Sequence, residues 1–250
     1  MPNQVKDLHK VDETSFPYIF EQNATVTLKA GDGLVRCNVY RPKSSGPVPV
    51  LVTYGPYGKD IPYKDFHPKS FSEVNEEQKS EHSAWETPDP GYWTRNGYAV
   101  VRADERGLGQ STGLLDTMSR GMSEAFFDVV ERNQTTDNRD NKFRDDPYYA
   151  SKEYDMGDIE VPLLSVGNWG GILLHLRGNI EGYLHAGSKL KYLRMITGRH
   201  DLPFYYKEEI EVQRSFLDAF LKGEDRVGWS EPGKVSPCKE LGPRLVLHPD

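Results

Sequence analysis

The chain is 250 residues long, 36% hydrophobic and 28% charged, a length that suits one large α/β domain, alone or with an appendage. Its formal net charge of −7, with no basic stripe, argues against a nucleic-acid partner. No apolar run approaches the ~20 residues of a membrane span, and Met1 to Lys10 lacks the apolar core of a secretion signal, so no membrane association and a cytoplasmic location are expected. Cys37 and Cys238, far apart in the chain, either pair or, as the preferred reading in that setting, stay two free thiols. The glycosylation-like triplets at Asn23 and Asn133 then carry no meaning.

Asn23 to Tyr40 has the pattern of a β-hairpin. Val26 and Leu28 alternate with polar residues, Gly31-Asp32-Gly33 turns the chain, and Val35, Cys37 and Val39 alternate on the return. Val48 to Val52 is a continuous apolar run closed by Gly55-Pro56, as in a strand buried on both faces of a parallel sheet. Asp89-Pro90 starts a short helix that Asn96-Gly97 ends, and Tyr98 to Ala103 is the next strand. Ser123 caps a helix with Ala125, Phe126, Val129 and Val130 on one face. From Arg132 to Asp158 the chain is polar where a strand is due, which counts against a complete fold. Val161 to Val166 and Lys191 to Thr197 read as strands, with a helix over Ile172 to Ala186 between them. Lys207 to Leu221 is an amphipathic helix with Ile210, Phe216, Leu217 and Phe220 inward, stopped by Gly223. Strands alternating with helices argue for a mostly parallel sheet flanked by helices, preceded by the N-terminal hairpin.

Several segments carry chemistry by pattern. Gly109-Gln110-Ser111-Thr112-Gly113 spells the nucleophile elbow G-x-S-x-G, which needs a strand running directly into a tight turn and a helix. Here the strand ends near Asp104 and no helix follows at once, so a glycine-rich loop shaping the sheet edge is the preferred reading over a nucleophilic Ser111. The same glycines imitate a dinucleotide loop, but Thr112 stands where its third glycine belongs. Tyr57, in Gly55-Pro56-Tyr57-Gly58-Lys59, follows a strand and is either an oxyanion donor or a packing residue. His200 follows the last long strand, where open α/β sheets place function, and is either a general base or a surface histidine. Asp137, Asp140, Asp145 and Asp146 match a calcium loop only loosely, since Arg139 occupies a ligand position and the required glycine is missing. The histidines lack zinc-type spacing, so neither a metal nor a cofactor is expected.

From Asn23 to Asp225 these pieces, in this order, resemble the CocE/NonD family of α/β-hydrolases, the cocaine esterases and X-Pro dipeptidyl-peptidases. Val50 to Lys59 is similar to the strand and tyrosine turn of that family, which implies Tyr57 as oxyanion donor. Gly97 to Gly113 looks like its most recognisable loop, structural in the family, and Glu124 to Glu131 like the helix before the nucleophile strand. Val161 to Gly171, continuing to Tyr183, looks like the strand and loop of the triad acid. His200 falls where the triad histidine falls, and Phe216 to Gly223 is similar to the helix after it.

The departures are as telling. After Glu131 the family continues into the nucleophile strand, its serine and a helical cap, whereas this chain passes to Arg132-Asn133-Gln134. The acid two residues past the family tryptophan corresponds to Gly171. A C-terminal jelly roll would begin near Arg244 to Leu247. The expectation is therefore an incomplete, truncated α/β-hydrolase fold. It has an N-terminal extension over 1–22, a hydrolase-like domain over 23–228 with an internal deletion near 131–132, and a tail over 229–250. The resemblance implies a serine-hydrolase relative acting on an ester or amide, with a small acyl or peptide-like substrate and self-association left open. The alternative is a catalytically defective relative that binds a small acyl-type ligand or a protein partner.

Overall fold

A computed structural model describes residues 8–28, 33–44, 46–113, 115, 155–231 and 246–247. The chain divides into two compact units, Met1–Phe71 with Glu76–Glu153, and Ser72–Asn75 with Tyr154–Asp250. The helix expected from Ser123, the acidic cluster from Asp137 to Asp146, and Cys238 lie outside the described residues. Of the polar interval after Arg132, the described end is a 3-10 turn, Met156–Asp158, whose Gly157 amide donates to the Asp155 carboxylate.

The first unit holds a five-stranded sheet. Its strands are β1 (Lys10–Asp12), β2 (Ile19–Thr27), β3 (Leu34–Arg41), β4 (Val50–Gly55) and β5 (Ala99–Asp104), in the order β1-β2-β3-β5-β4. The expected hairpin is β2 with β3, antiparallel, with Val26 opposite Val35. A bulge interrupts it between Glu21 and Ala24, where Asn23 takes φ 58° and keeps its side chain buried. Leu28, Val35, Cys37 and Ala103 form the core on this sheet. Among the described strands of this unit, β4 and β5 alone pair in parallel.

The fully buried strand expected at Val48 to Val52 is not found. β4 is an edge strand, with Val50 49% and Val52 51% exposed. Among the described residues it has β5 on one side and no strand on the other, so alternate side chains keep their contact with water. Two short helices follow, α1 (Tyr63–Phe66) and α2 (Pro68–Glu73), and then α3 (Pro90–Arg95). The Asp89 carboxylate caps α3 through the Tyr92 amide at 2.9 Å, and Gly97 at φ 77° ends the turn that follows, as the sequence indicates.

In the second unit, β6 (Leu163–Asn168) and β7 (Lys191–Ile196) are parallel, and β8 (Val246–Leu247) joins β7 antiparallel. The crossover between β6 and β7 is a π turn, Ile172–Leu176, continuing into α4 (Arg177–His185). The last long helix, α5 (Lys207–Leu217), runs into a second π turn, Asp218–Lys222, which Gly223 closes at φ 74°. Ile210 and Phe216 are buried as expected, while Leu217 and Phe220 pack on the core only in part. That core is Tyr192, Val212, Phe216, Ala219 and Trp229. Each fully buried large side chain there contributes on the order of 1.5–3 kcal/mol. Arg194 of β7 and Glu209 of α5 tie strand to helix through a buried bidentate ion pair at 2.5 and 2.9 Å.

Candidate functional site

In the first unit, Tyr57 sits in the turn that leaves the C-terminal end of β4. Gly58 takes φ 86°, which lets the chain double back toward Ile61. Asp104, at the end of β5, anchors this turn. Its carboxylate accepts from the Lys59 amide at 2.6 Å and lies 3.6 Å from the Lys59 ammonium, which also pairs with Asp60. Burial pushes the Asp104 carboxyl up to about 6, and Lys59 holds it back from rising further.

The glycine-rich loop then folds over the same aspartate. Gly109 takes φ 55°, and a Cβ there would collide with the Asp104 carboxylate. Ser111 is 6% exposed. Its hydroxyl accepts from the Arg36 amide at 2.9 Å and donates to the Asp104 carbonyl at 3.1 Å. Thr112 extends the pattern: its hydroxyl accepts from the Leu34 amide at 2.8 Å, and its own amide donates to the Leu34 carbonyl at 3.0 Å. The stretch is thus bonded to the start of β3 at Leu34 and Arg36. Ser111 is a bridging residue of that seam and not a hydroxyl raised on a turn.

A cavity of about 210 Å³ opens beside Tyr57. Phe66, Trp85 and Tyr57 form its aromatic wall, with ring centroids 4.7 to 5.9 Å apart. Burial, followed by the charge and hydrogen bond of Glu86, raises the Tyr57 phenol above its ordinary value, so it stays protonated near neutrality. Tyr57 is 42% exposed. Glu86 itself holds φ 54°, a left-handed conformation unusual outside glycine.

The segment bearing Trp85 and Glu86 is fixed by Asp89. Its carboxylate takes the Ser80 amide and hydroxyl at 2.9 and 2.8 Å and the Ser83 hydroxyl at 2.6 Å, besides capping α3. Sequence reasoning located the Asp89 cap but missed Phe66, Trp85 and Glu86. They come from a polar segment without periodicity, and only the tertiary path brings them to Tyr57.

In the second unit, His200 lies half-buried beyond the C-terminal end of β7, as the sequence pattern indicates. The ends of β6 and β7 are tied together by Asn168, whose side-chain NH2 donates to the Arg199 carbonyl at 3.0 Å and whose oxygen accepts from the Gly170 amide at 2.7 Å. Gly170 packs so closely on the Gly198 carbonyl that no Cβ fits. Gly171 faces His200: a Cβ built there would lie 3.3 Å from the His200 Cβ. The position that the family resemblance assigns to the acid is thus beside the histidine, and it holds no carboxylate. The His175 ring is 6.0 Å from that of His200, and Arg199 pairs with Asp201 at 3.4 Å and Glu73 at 3.5 Å. Tyr57 belongs to the first unit and His200 to the second. Among the described residues no group of three or more His, Cys, Asp or Glu is arranged to hold a metal, and no helix is long and apolar enough to cross a membrane.

Two crystal structures of a CocE/NonD family hydrolase from Staphylococcus aureus resemble this chain. One is 22% identical with a TM-score of 0.71, covering 91% of this chain and 55% of that protein. The other is 21% identical with a TM-score of 0.73, covering 94% and 58%. At these identities the likeness shows the fold: an incomplete α/β-hydrolase-like fold with a mixed sheet, an N-terminal antiparallel hairpin and flanking helices. This chain spans little more than half the length of those structures. Residues 31–132 match the family model of the X-Pro dipeptidyl-peptidase (S15 family), and with the fold this supports the CocE/NonD and X-Pro dipeptidyl-peptidase relationship read from the motifs. Comparison with curated proteins finds no significant match. The chain is thus similar over residues 31–132 to the X-Pro dipeptidyl-peptidase (S15 family) model, and in fold to a CocE/NonD family hydrolase.

Proposed function

We propose that this chain is a defective member of the hydrolase class that binds a small acyl-type ligand without forming an acyl-enzyme. The observation that carries this reading is the state of Ser111, the serine spelled as an elbow, whose hydroxyl is consumed by two backbone hydrogen bonds inside the sheet seam. A triad acts as a unit, and the position beside His200 that the resemblance assigns to its acid is Gly171. What is retained is a cavity with an aromatic wall and a protonated phenol, suited to an acyl group whose carbonyl accepts a hydrogen bond.

The second reading is hydrolysis of an ester or amide with Tyr57 as oxyanion donor and His200 as base. It is favoured by the place of His200 past the C-terminal end of a parallel strand. Incubation of the folded chain with a fluorophosphonate, followed by intact mass measurement, separates the two. Binding alone gives no adduct, together with thermal stabilisation by small acyl compounds. A single adduct on any serine refutes the proposal and restores covalent hydrolysis.

A further inference from the structure

Arg102 stands at the centre of β5, 4% exposed. Its neighbours across the sheet are Asn38 on β3 and Thr53 on β4, so the three side chains share one face. One nitrogen is satisfied: Nη1 donates to the His82 carbonyl at 3.0 Å, with longer contacts of 3.5 Å to the Lys59 carbonyl and the Tyr40 hydroxyl. The guanidinium also lies 5.4 Å over the Tyr40 ring. The other two nitrogens, Nε and Nη2, are buried and have no hydrogen-bond partner among the described residues. The Thr53 hydroxyl, on the adjacent strand, is in the same condition.

Nε and Nη2 form the side-on fork of a guanidinium, the edge that takes both oxygens of a carboxylate. The protein uses that edge elsewhere, since Nε and Nη2 of Arg194 grip Glu209. Arg102 has no such partner among the described residues. Asp104 and Asp60 are committed to Lys59, and Asp89 to Ser80, Ser83 and the start of α3. His82 offers no negative charge, and burial and then Arg102 keep its imidazole neutral by lowering its pKa.

A buried guanidinium edge with nothing to bind is costly. Arg102 lines the 210 Å³ cavity of Tyr57 and a neighbouring one of about 150 Å³. Thr53 lines only the larger, which directs the choice between them.

We propose that the Tyr57 cavity binds a monocarboxylate with a flat apolar body, its carboxylate held by Arg102 Nε and Nη2 and the Thr53 hydroxyl, its body against Phe66, Trp85 and Tyr57. This names the ligand class of the acyl-binding reading and rests on it. Glu86, at the cavity wall, selects against a second carboxylate on the ligand.

The test is calorimetric titration of the full chain with phenylacetate and with its neutral counterpart phenylacetamide. Phenylacetate is expected to bind at least tenfold more tightly and to shift the Arg102 Nε–H resonance. Arg102→Lys, which keeps the charge and loses the fork, abolishes that preference. Thr53→Val, a near-isosteric change, weakens phenylacetate three- to tenfold and leaves phenylacetamide unchanged, so the inference is testable even where the arginine variant does not fold. Equal binding of the two compounds overturns the carboxylate anchor while leaving an acyl pocket in place. Binding of neither overturns both, with buried water as the partner of Arg102.

Discussion

Replacing Ser111 by alanine separates a structural serine from a nucleophilic one. The substitution strands the Arg36 amide, which donates to the hydroxyl at 2.9 Å, and removes the donor to the Asp104 carbonyl at 3.1 Å. Both groups are in the buried seam between β3 and the loop after β5, where water does not replace the lost partner. A buried polar group left unsatisfied costs about 1–3 kcal/mol, and a carbonyl suffers less than an amide, so the expected loss is about 2–4 kcal/mol. For a chain of this size that lowers Tm by roughly 5–15 °C. Scanning calorimetry measures the total, and hydrogen exchange localises it, with the Arg36 amide losing protection ahead of its neighbours on β3. An unchanged Tm and Arg36 exchange rate, combined with loss of any esterase activity present in the parent chain, would refute the structural assignment and make Ser111 a nucleophile.

Three further outcomes follow from the geometry. Asp104 has a folded value of about 6 against an ordinary 3.8, so between those values the native state keeps a proton that the unfolded chain has released. Stability therefore falls as pH rises through that window and levels off above it, and the advantage of Asp104→Asn over the parent should grow by about 2 kcal/mol between pH 4 and pH 7; urea titrations of both proteins at the two pH values check this. Gly170→Ala should destabilise the second unit by more than about 2 kcal/mol through collision with the Gly198 carbonyl, whereas Gly178→Ala, in α4 with open space around it, should be neutral or stabilising by up to about 1 kcal/mol in thermal melts. Glu209→Gln leaves the Arg194 guanidinium buried without its counter-charge and should cost about 3–5 kcal/mol, a loss that the double substitution Arg194→Met with Glu209→Leu largely avoids in denaturant titrations.

The elements whose signals are local were legible in the sequence. Asp89-Pro90 and Gly97 delimit α3 because a cap and a left-handed stop are properties of a few adjacent residues. The hairpin was legible because alternation in Val26 and Val35 is written into each strand. The exposure of Val50 and Val52 was not, since an apolar run looks the same at a sheet centre and at an edge, and neighbours decide. The Tyr57 turn was found by its position after a strand, yet its cavity wall was not, because Phe66, Trp85 and Thr53 are brought together by chain path and strand register. Arg102 carried no sequence signal at all. An arginine in a strand is read as an exposed alternation partner until its burial and its empty fork are seen.

The elbow spelling at Gly109 to Gly113 shows why a motif and its context must be weighed together. A nucleophile elbow needs small residues around its serine because the chain turns sharply between strand and helix. Here the same letters answer different crowding. Gly109 is required because the loop presses on the Asp104 carboxylate, and Gly113, at φ 104°, because a Cβ would enter the Arg106 side chain. The serine between them is small, and its hydroxyl donates and accepts at once, which is what a seam with one free amide and one free carbonyl requires. Two unrelated steric demands thus converge on one pattern. The discriminating quantity is the direction of the hydroxyl's hydrogen bonds, both of them to backbone, which commits the only proton of the Ser111 hydroxyl to the Asp104 carbonyl and withholds it from a base.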